Sequence, residues 1–174
     1  NESLQDLLPV FENSGYRGLY QYVMDLPQES VDILLQPLRD KILPMYAGGK
    51  LVKSNPDFWA ARAMISYPGK MDRGIFSIYF FNLVRLDAGQ AIFQGAGVPH
   101  AYLEGQNIEL MSNSDNVLRG GLTPKHIDVP ELMKHIRFEA VKPEIMDGEG
   151  DQIECRYICP VPDFSLSKIN ITAG

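Results

Sequence analysis

Between Pro99 and Lys125 the sequence PHAYLEGQNIELMSNSDNVLRGGLTPK gathers an imidazole (His100), a phenol (Tyr102) and a carboxylate (Glu109). An acid in a turn (Asp115) and two cations (Arg119 and Lys125) follow. Imidazole is a ready metal ligand. A guanidinium suits the planar or tetrahedral anions of a phosphate or an enediolate, where its fork can donate two hydrogen bonds. Apolar residues alternate between these groups, and glycines and turn residues space them. That texture predicts polar side chains converging on one face of an antiparallel sheet, as in barrels that enclose pockets.

If His100–Leu103 is a strand, a period of two sets His100 and Tyr102 on one face and Ala101 and Leu103 on the other. In Ile108–Ser112 the same period sets Glu109 and Met111 opposite Ile108 and Leu110. A hairpin through Glu104-Gly105 would then bring His100, Tyr102 and Glu109 together. Arg119 is followed by Gly120-Gly121, where the lack of side chains admits a close backbone or ligand. Lys125 lies close by, and Asp115 can pair with either cation. Three competing readings stay open: a buried histidine bonded to a neighbour, a surface arginine on a loop, and a salt-bridged cluster serving structure alone. His126 and His135 read as bystanders, and no His-x-His or His-Glu-x-x-His pattern occurs. The acids of Asp147–Asp151 lack the glutamate that closes an EF-hand loop, so they read as a solvated turn.

The elements around these residues divide the chain. Leu4, Leu7, Leu8 and Phe11 follow a helical period, and Leu19, Tyr22 and Val23 resume it after a break at Gly15–Gly18. A helix over Glu29–Leu35 is expected to stop at Pro37. Asn55-Pro56 reads as an N-cap followed by a first-turn proline, opening a helix through Trp59 and Met64. After Tyr67-Pro68-Gly69, the β-branched and aromatic run Ile75–Leu86 predicts a long strand, with a short one at Ala91–Gln94. Asp128 with Glu131 three residues on marks a helix start, running through about His135. Short strands are expected at Ile153–Cys159 and Phe164–Ile171.

Composition bounds the function. At 174 residues with 45% hydrophobic and 22% charged content, the chain suits a globular fold of one domain or two small ones. The net charge of −6 argues against nucleic acid or an acidic membrane as partner. No apolar run approaches the roughly 20 residues that span a bilayer, and no secretory pattern opens the chain. Cys155 and Cys159, four apart on one strand, would lie about 13 Å from each other, too far for a disulfide. They read as buried reduced thiols of a cytoplasmic protein.

The run HAYLEGQNIELMSNSDNVLRGGLTPK resembles the signature of type I mannose-6-phosphate isomerases, zinc enzymes of the cupin superfamily. It departs mainly at Ser112 and Gly120, where that family usually has alanine. The resemblance extends upstream through YPGKMDRGIFSIYFFNLVRLDAGQAIF and downstream through HIDVPELMKHIRFE, and residues 1–66 resemble the family's helical domain. It implies an α+β fold: a helical domain over 1–66, then an antiparallel cupin-type (jelly-roll) barrel portion over 67–137. Residues 138–174 would begin a second, truncated β-domain, leaving the barrel incomplete. It further implies Arg119 as the catalytic arginine, with Tyr102, Glu109, Asp115 and Lys125 around a sugar-phosphate substrate. His100 would be one ligand of a single zinc ion. The implied activity is interconversion of mannose 6-phosphate and fructose 6-phosphate through a cis-enediol, feeding GDP-mannose biosynthesis and carbohydrate metabolism.

Three further zinc ligands are expected upstream, in a Gln-x-His pair and an Asn-His-Lys-Pro-Glu stretch, and neither occurs here. Lys142-Pro143-Glu144 lies downstream and lacks the Asn-His, so it reads as a decoy. The expectation is therefore an internal piece of a longer enzyme, a poor zinc binder and inactive alone. The alternative reading is a non-catalytic cupin-like module that binds or senses sugar phosphates. A cupin dioxygenase is disfavoured, since it wants several barrel histidines.

Overall fold

The computed structural model describes residues 2–114 and 116–171. Among the described residues there are a 3-10 turn (Glu2–Leu7), five α-helices and five short strands. The chain divides into two compact units. The first comprises residues 1–83, 99–101 and 118–140, and the second residues 84–98, 102–117 and 141–174.

The first unit is helical. Helix α1 (Leu8–Asp25) is kinked at Gly15, whose φ of 60° and ψ of −164° leave the helical region. Helix α2 (Gln28–Ala47) buries Val31, Leu35, Leu38 and Ile42, a 4-3-4 spacing that draws one stripe along its inner face. It does not stop at Pro37 as expected. Pro37 and Pro44 both lie inside α2 on its exposed side. There water can satisfy the carbonyls that lose their donors, while the apolar stripe continues across. Helix α3 (Pro56–Ser66) starts where the cap signal placed it: the Asn55 side chain accepts from the Asp57 N–H at 2.9 Å.

Residues 74–80 form helix α4 (Gly74–Phe80) rather than the beginning of a strand. Ile75 and Phe76 are buried in the helical core, Phe76 completely. Phe80 stacks one turn further along the same side, 6.2 Å from Phe76 between ring centroids. Packing on a helical core outweighs the strand preference of a short aromatic run. Helix α5 (Val129–His135) is capped by Asp128, whose carboxylate accepts from the Glu131 N–H at 3.0 Å. The core of this unit unites Met24, Leu35, Leu38, Ile42, Ile75 and Phe76, each 0–1% exposed.

The second unit carries the strands. Strand β1 (Ala91–Ile92) pairs antiparallel with β2 (Ile145–Met146), Ala91 opposite Met146. Strands β3 (Glu149–Gly150), β4 (Glu154–Tyr157) and β5 (Leu166–Ile169) form an antiparallel sheet in that order. The buried Tyr157 donates its hydroxyl to the Gly89 carbonyl, holding β4 to the turn before β1. Helices with antiparallel sheets are the α+β class expected. Among the described residues the sheets are two small pieces and no barrel closes. Cys155 and Cys159 are free thiols, half-buried rather than buried. No helix among the described residues is long and apolar enough to cross a membrane.

Candidate functional site

The candidate residues fall in both units. Residues 99–101, with His100, and 118–140, with Arg119 and Lys125, belong to the first, whereas Tyr102 and Glu109 belong to the second. Asp115 lies outside the described residues. Neither His100–Leu103 nor Ile108–Ser112 is a strand; both run as irregular chain. Alternation of side chains is a property of an extended segment, but a strand also needs a partner for its ladder.

Within the second unit Tyr102 and Glu109 are brought together: their side chains hydrogen-bond. The Tyr102 phenol is pushed above its usual range by partial burial first, then by the Glu109 bond and charge, with Asn107 opposing. A phenol that holds its proton beside a carboxylate is a donor, and Glu109 is its acceptor.

In the first unit His100 is exposed, Arg119 half-buried and Lys125 exposed. The backbone N–H of Lys125 bonds the Thr123 hydroxyl at 3.2 Å, which shapes the turn ahead of the lysine. His126 is exposed, and His135 meets Glu131 at 2.9 Å on the outer side of α5. Among the described residues no group of three His, Cys, Asp or Glu side chains gathers closely enough to hold a metal ion. The three imidazoles are thus not gathered with other donors among the described residues, which by themselves do not make up the three or four protein ligands of a zinc centre.

The segment from Arg119 to Leu122 is held far more firmly than the sequence suggested. Leu122 has a φ of 52°, uncommon for a branched residue. Its N–H donates to the Asp72 carboxylate at 2.9 Å, and its carbonyl accepts from the Tyr67 hydroxyl at 2.9 Å. The same Asp72 oxygen accepts from the Gly74 N–H at 2.7 Å. Gly121, with a φ of +136°, lies against Gly74: a methyl carbon on Gly121 would sit 2.4 Å from the Gly74 Cα. Asp72, Tyr67 and Gly74 were not singled out from the sequence. The available signal was an acid two residues before a glycine at a helix start, which is too common to flag.

No family model matches the chain. Over 112 residues it is 46% identical to the mannose-6-phosphate isomerase of Escherichia coli K12, covering 63% of this chain and 28% of that protein. With the Bos taurus mannose-6-phosphate isomerase the identity is 35% over 164 residues, 91% of this chain and 38% of that protein. The crystal structure of the apo mannose 6-phosphate isomerase from Salmonella typhimurium matches with a TM-score of 0.76 at 31% identity. That match covers 96% of this chain and 41% of the other. The Salmonella enzyme bound to fructose 6-phosphate and zinc matches with the same TM-score. The chain thus resembles mannose-6-phosphate isomerases in sequence and in their cupin-type fold, and spans 28% to 41% of the length of the relatives named here.

Proposed function

We propose that these residues form part of an aldose–ketose isomerase that interconverts mannose 6-phosphate and fructose 6-phosphate. The observation that carries this reading is the match, at a TM-score of 0.76 over 96% of the chain, to an isomerase solved with fructose 6-phosphate and zinc. Arg119 is the catalytic residue in this reading. Arg119 is half-buried on a segment tied through Leu122, and its guanidinium would face the charge that develops on the enediolate oxygens. A fixed donor at such a position lowers the barrier because it needs no reorganisation during the reaction.

Lys125 would meet the phosphate, and Asp115 would serve as a supporting residue. The Tyr102–Glu109 pair would line the sugar pocket, the phenol bonded to the carboxylate rather than free to wander. His100 would be this chain's contribution to a zinc site, with further donors supplied from outside these 174 residues. The reading places the protein in the cytoplasm, in the supply of mannose phosphates for GDP-mannose.

The test is Arg119→Ala in the polypeptide that joins these residues to the remaining part of the isomerase fold. Turnover of mannose 6-phosphate, followed by a coupled assay for fructose 6-phosphate, is expected to fall about 100–1,000-fold, as for loss of an oxyanion donor. The circular dichroism spectrum should stay unchanged. Wild-type turnover in that variant overturns the role of Arg119. Absence of any turnover in the zinc-loaded parent overturns the isomerase reading.

A further inference from the structure

The arginine segment is anchored through a chain of contacts that begins on the helical scaffold. Asp32 of α2 accepts from the Met71 N–H at 3.0 Å. Gln28 of α2 donates to the Met71 carbonyl at 2.8 Å. Arg73 donates to the carbonyl of Met24 on α1. Residues 71–73 are thus tied to two helices. From the middle of that tied stretch Asp72 reaches across 50 positions of sequence to the Leu122 N–H. One carboxylate oxygen receives two amides, those of Gly74 and Leu122, at 2.7 and 2.9 Å.

A charged acceptor makes the stronger kind of hydrogen bond. It is placed where the backbone most needs holding, because Leu122 sits in a left-handed conformation that an L-residue leaves when unrestrained. With Leu122 fixed, Gly121 is pressed against Gly74, three and two residues after Arg119 in the same short segment. The segment has no helix or strand of its own to define it.

We infer that Asp72 is the positioning residue for Arg119: through the Leu122 N–H it selects the backbone conformation that presents the guanidinium. The inference rests on the catalytic reading of Arg119 given above. Asp72 itself touches backbone amides, so its effect on the reaction passes through the loop. The expected signature is a loss in kcat with little change in KM, since substrate contacts elsewhere are untouched and only transition-state alignment suffers.

Two measurements test it. In the 174-residue chain, Asp72→Ala should raise amide hydrogen exchange at Leu122 and Gly74 about ten-fold or more, while amides in α2 keep their rates. Asp72→Asn, which retains a carbonyl acceptor of the same shape, should fall between. Tyr67→Phe removes the other tether from an exposed side chain and should loosen Leu122 without unfolding the unit. In the assembled isomerase Asp72→Ala should lower kcat about 10–100-fold, the cost of misplaced catalytic groups. On the Arg119→Ala background it should lower it no further. Unchanged exchange at Leu122, or losses that multiply in the double variant, overturns the positioning role alone. An Arg119→Ala enzyme of wild-type turnover overturns the catalytic reading, and this inference with it.

Discussion

The hydroxyl oxygen of Tyr20 lies 2.5 Å from the point where a methyl carbon on Gly120 would sit. Tyr20 is on α1, 5% exposed, and its hydroxyl bonds Ser77 of α4; burial pushes the phenol above its usual range. The space that an alanine would fill beside Arg119 is therefore occupied by a tyrosine from another part of the chain. This gives physical content to the departure at Gly120 from the alanine usual in the family it resembles. Gly120→Ala should destabilise the protein by about 1–3 kcal/mol, the usual cost of overpacking. Tyr20→Phe should cost about 1 kcal/mol for the lost hydrogen bond. The double variant should be more stable than the sum predicts, because the ring carbon Cζ stands at an ordinary 3.8 Å from the new methyl. Urea unfolding of the four proteins decides it, and strict additivity would refute the contact.

Acid should open the β3–β4 turn before it opens the helical unit. The Asp151 carboxylate accepts from the Ile153 N–H at 2.7 Å and the Glu154 N–H at 2.8 Å. Those backbone bonds, Glu154 first, hold its pKa below the usual aspartate range. Since the folded value is the lower one, the stabilisation is complete above the unfolded value of roughly 3.9 and disappears as pH falls through the depressed folded value. Asp151→Asn should flatten that acid limb. Amide chemical shifts of Ile153 and Glu154 during acid titration report it, and identical limbs in both proteins would contradict it.

At the alkaline end the relevant group is Tyr102. Its phenol is raised, so the associated stability is present below the unfolded tyrosine value and is lost as pH rises through the raised one. Glu109→Gln removes the neighbouring charge, and Tyr102 should then ionise at lower pH. Tyrosinate absorbance identifies the transition when compared with Tyr102→Phe. An unmoved transition would show that the two side chains do not share a hydrogen bond in solution.

Local signals were legible where the chemistry is local. Asn55-Pro56 opened α3 and Asp128 opened α5, because a cap satisfies amides two or three residues away and so leaves its trace in adjacent sequence. Pro37 misled for a complementary reason. Its cost depends on which side of the helix it faces, and the facing is decided by Val31, Leu35, Leu38 and Ile42 packing on other helices. Ile75–Leu86 failed similarly: seven residues rich in aromatics satisfy either period, and burial against the helical unit chose. At the candidate site the residue types around Arg119 were visible, whereas the device that holds them was not. Asp72 finds Leu122 through the fold, with nothing in the sequence of either to announce the other.

The pairing of Ala91 with Met146 has a kinetic consequence. Between those two strands the chain leaves the second unit, contributes residues 118–140 to the first, and returns. Helices α2 and α3 pack on each other across a short connection, so they can organise early on the ribosome. The β1–β2 ladder must wait for closure of a long loop, whose entropy grows slowly with length but whose search time is considerable. Synthesis past Tyr157 is the earliest moment at which the Gly89 turn meets its anchor.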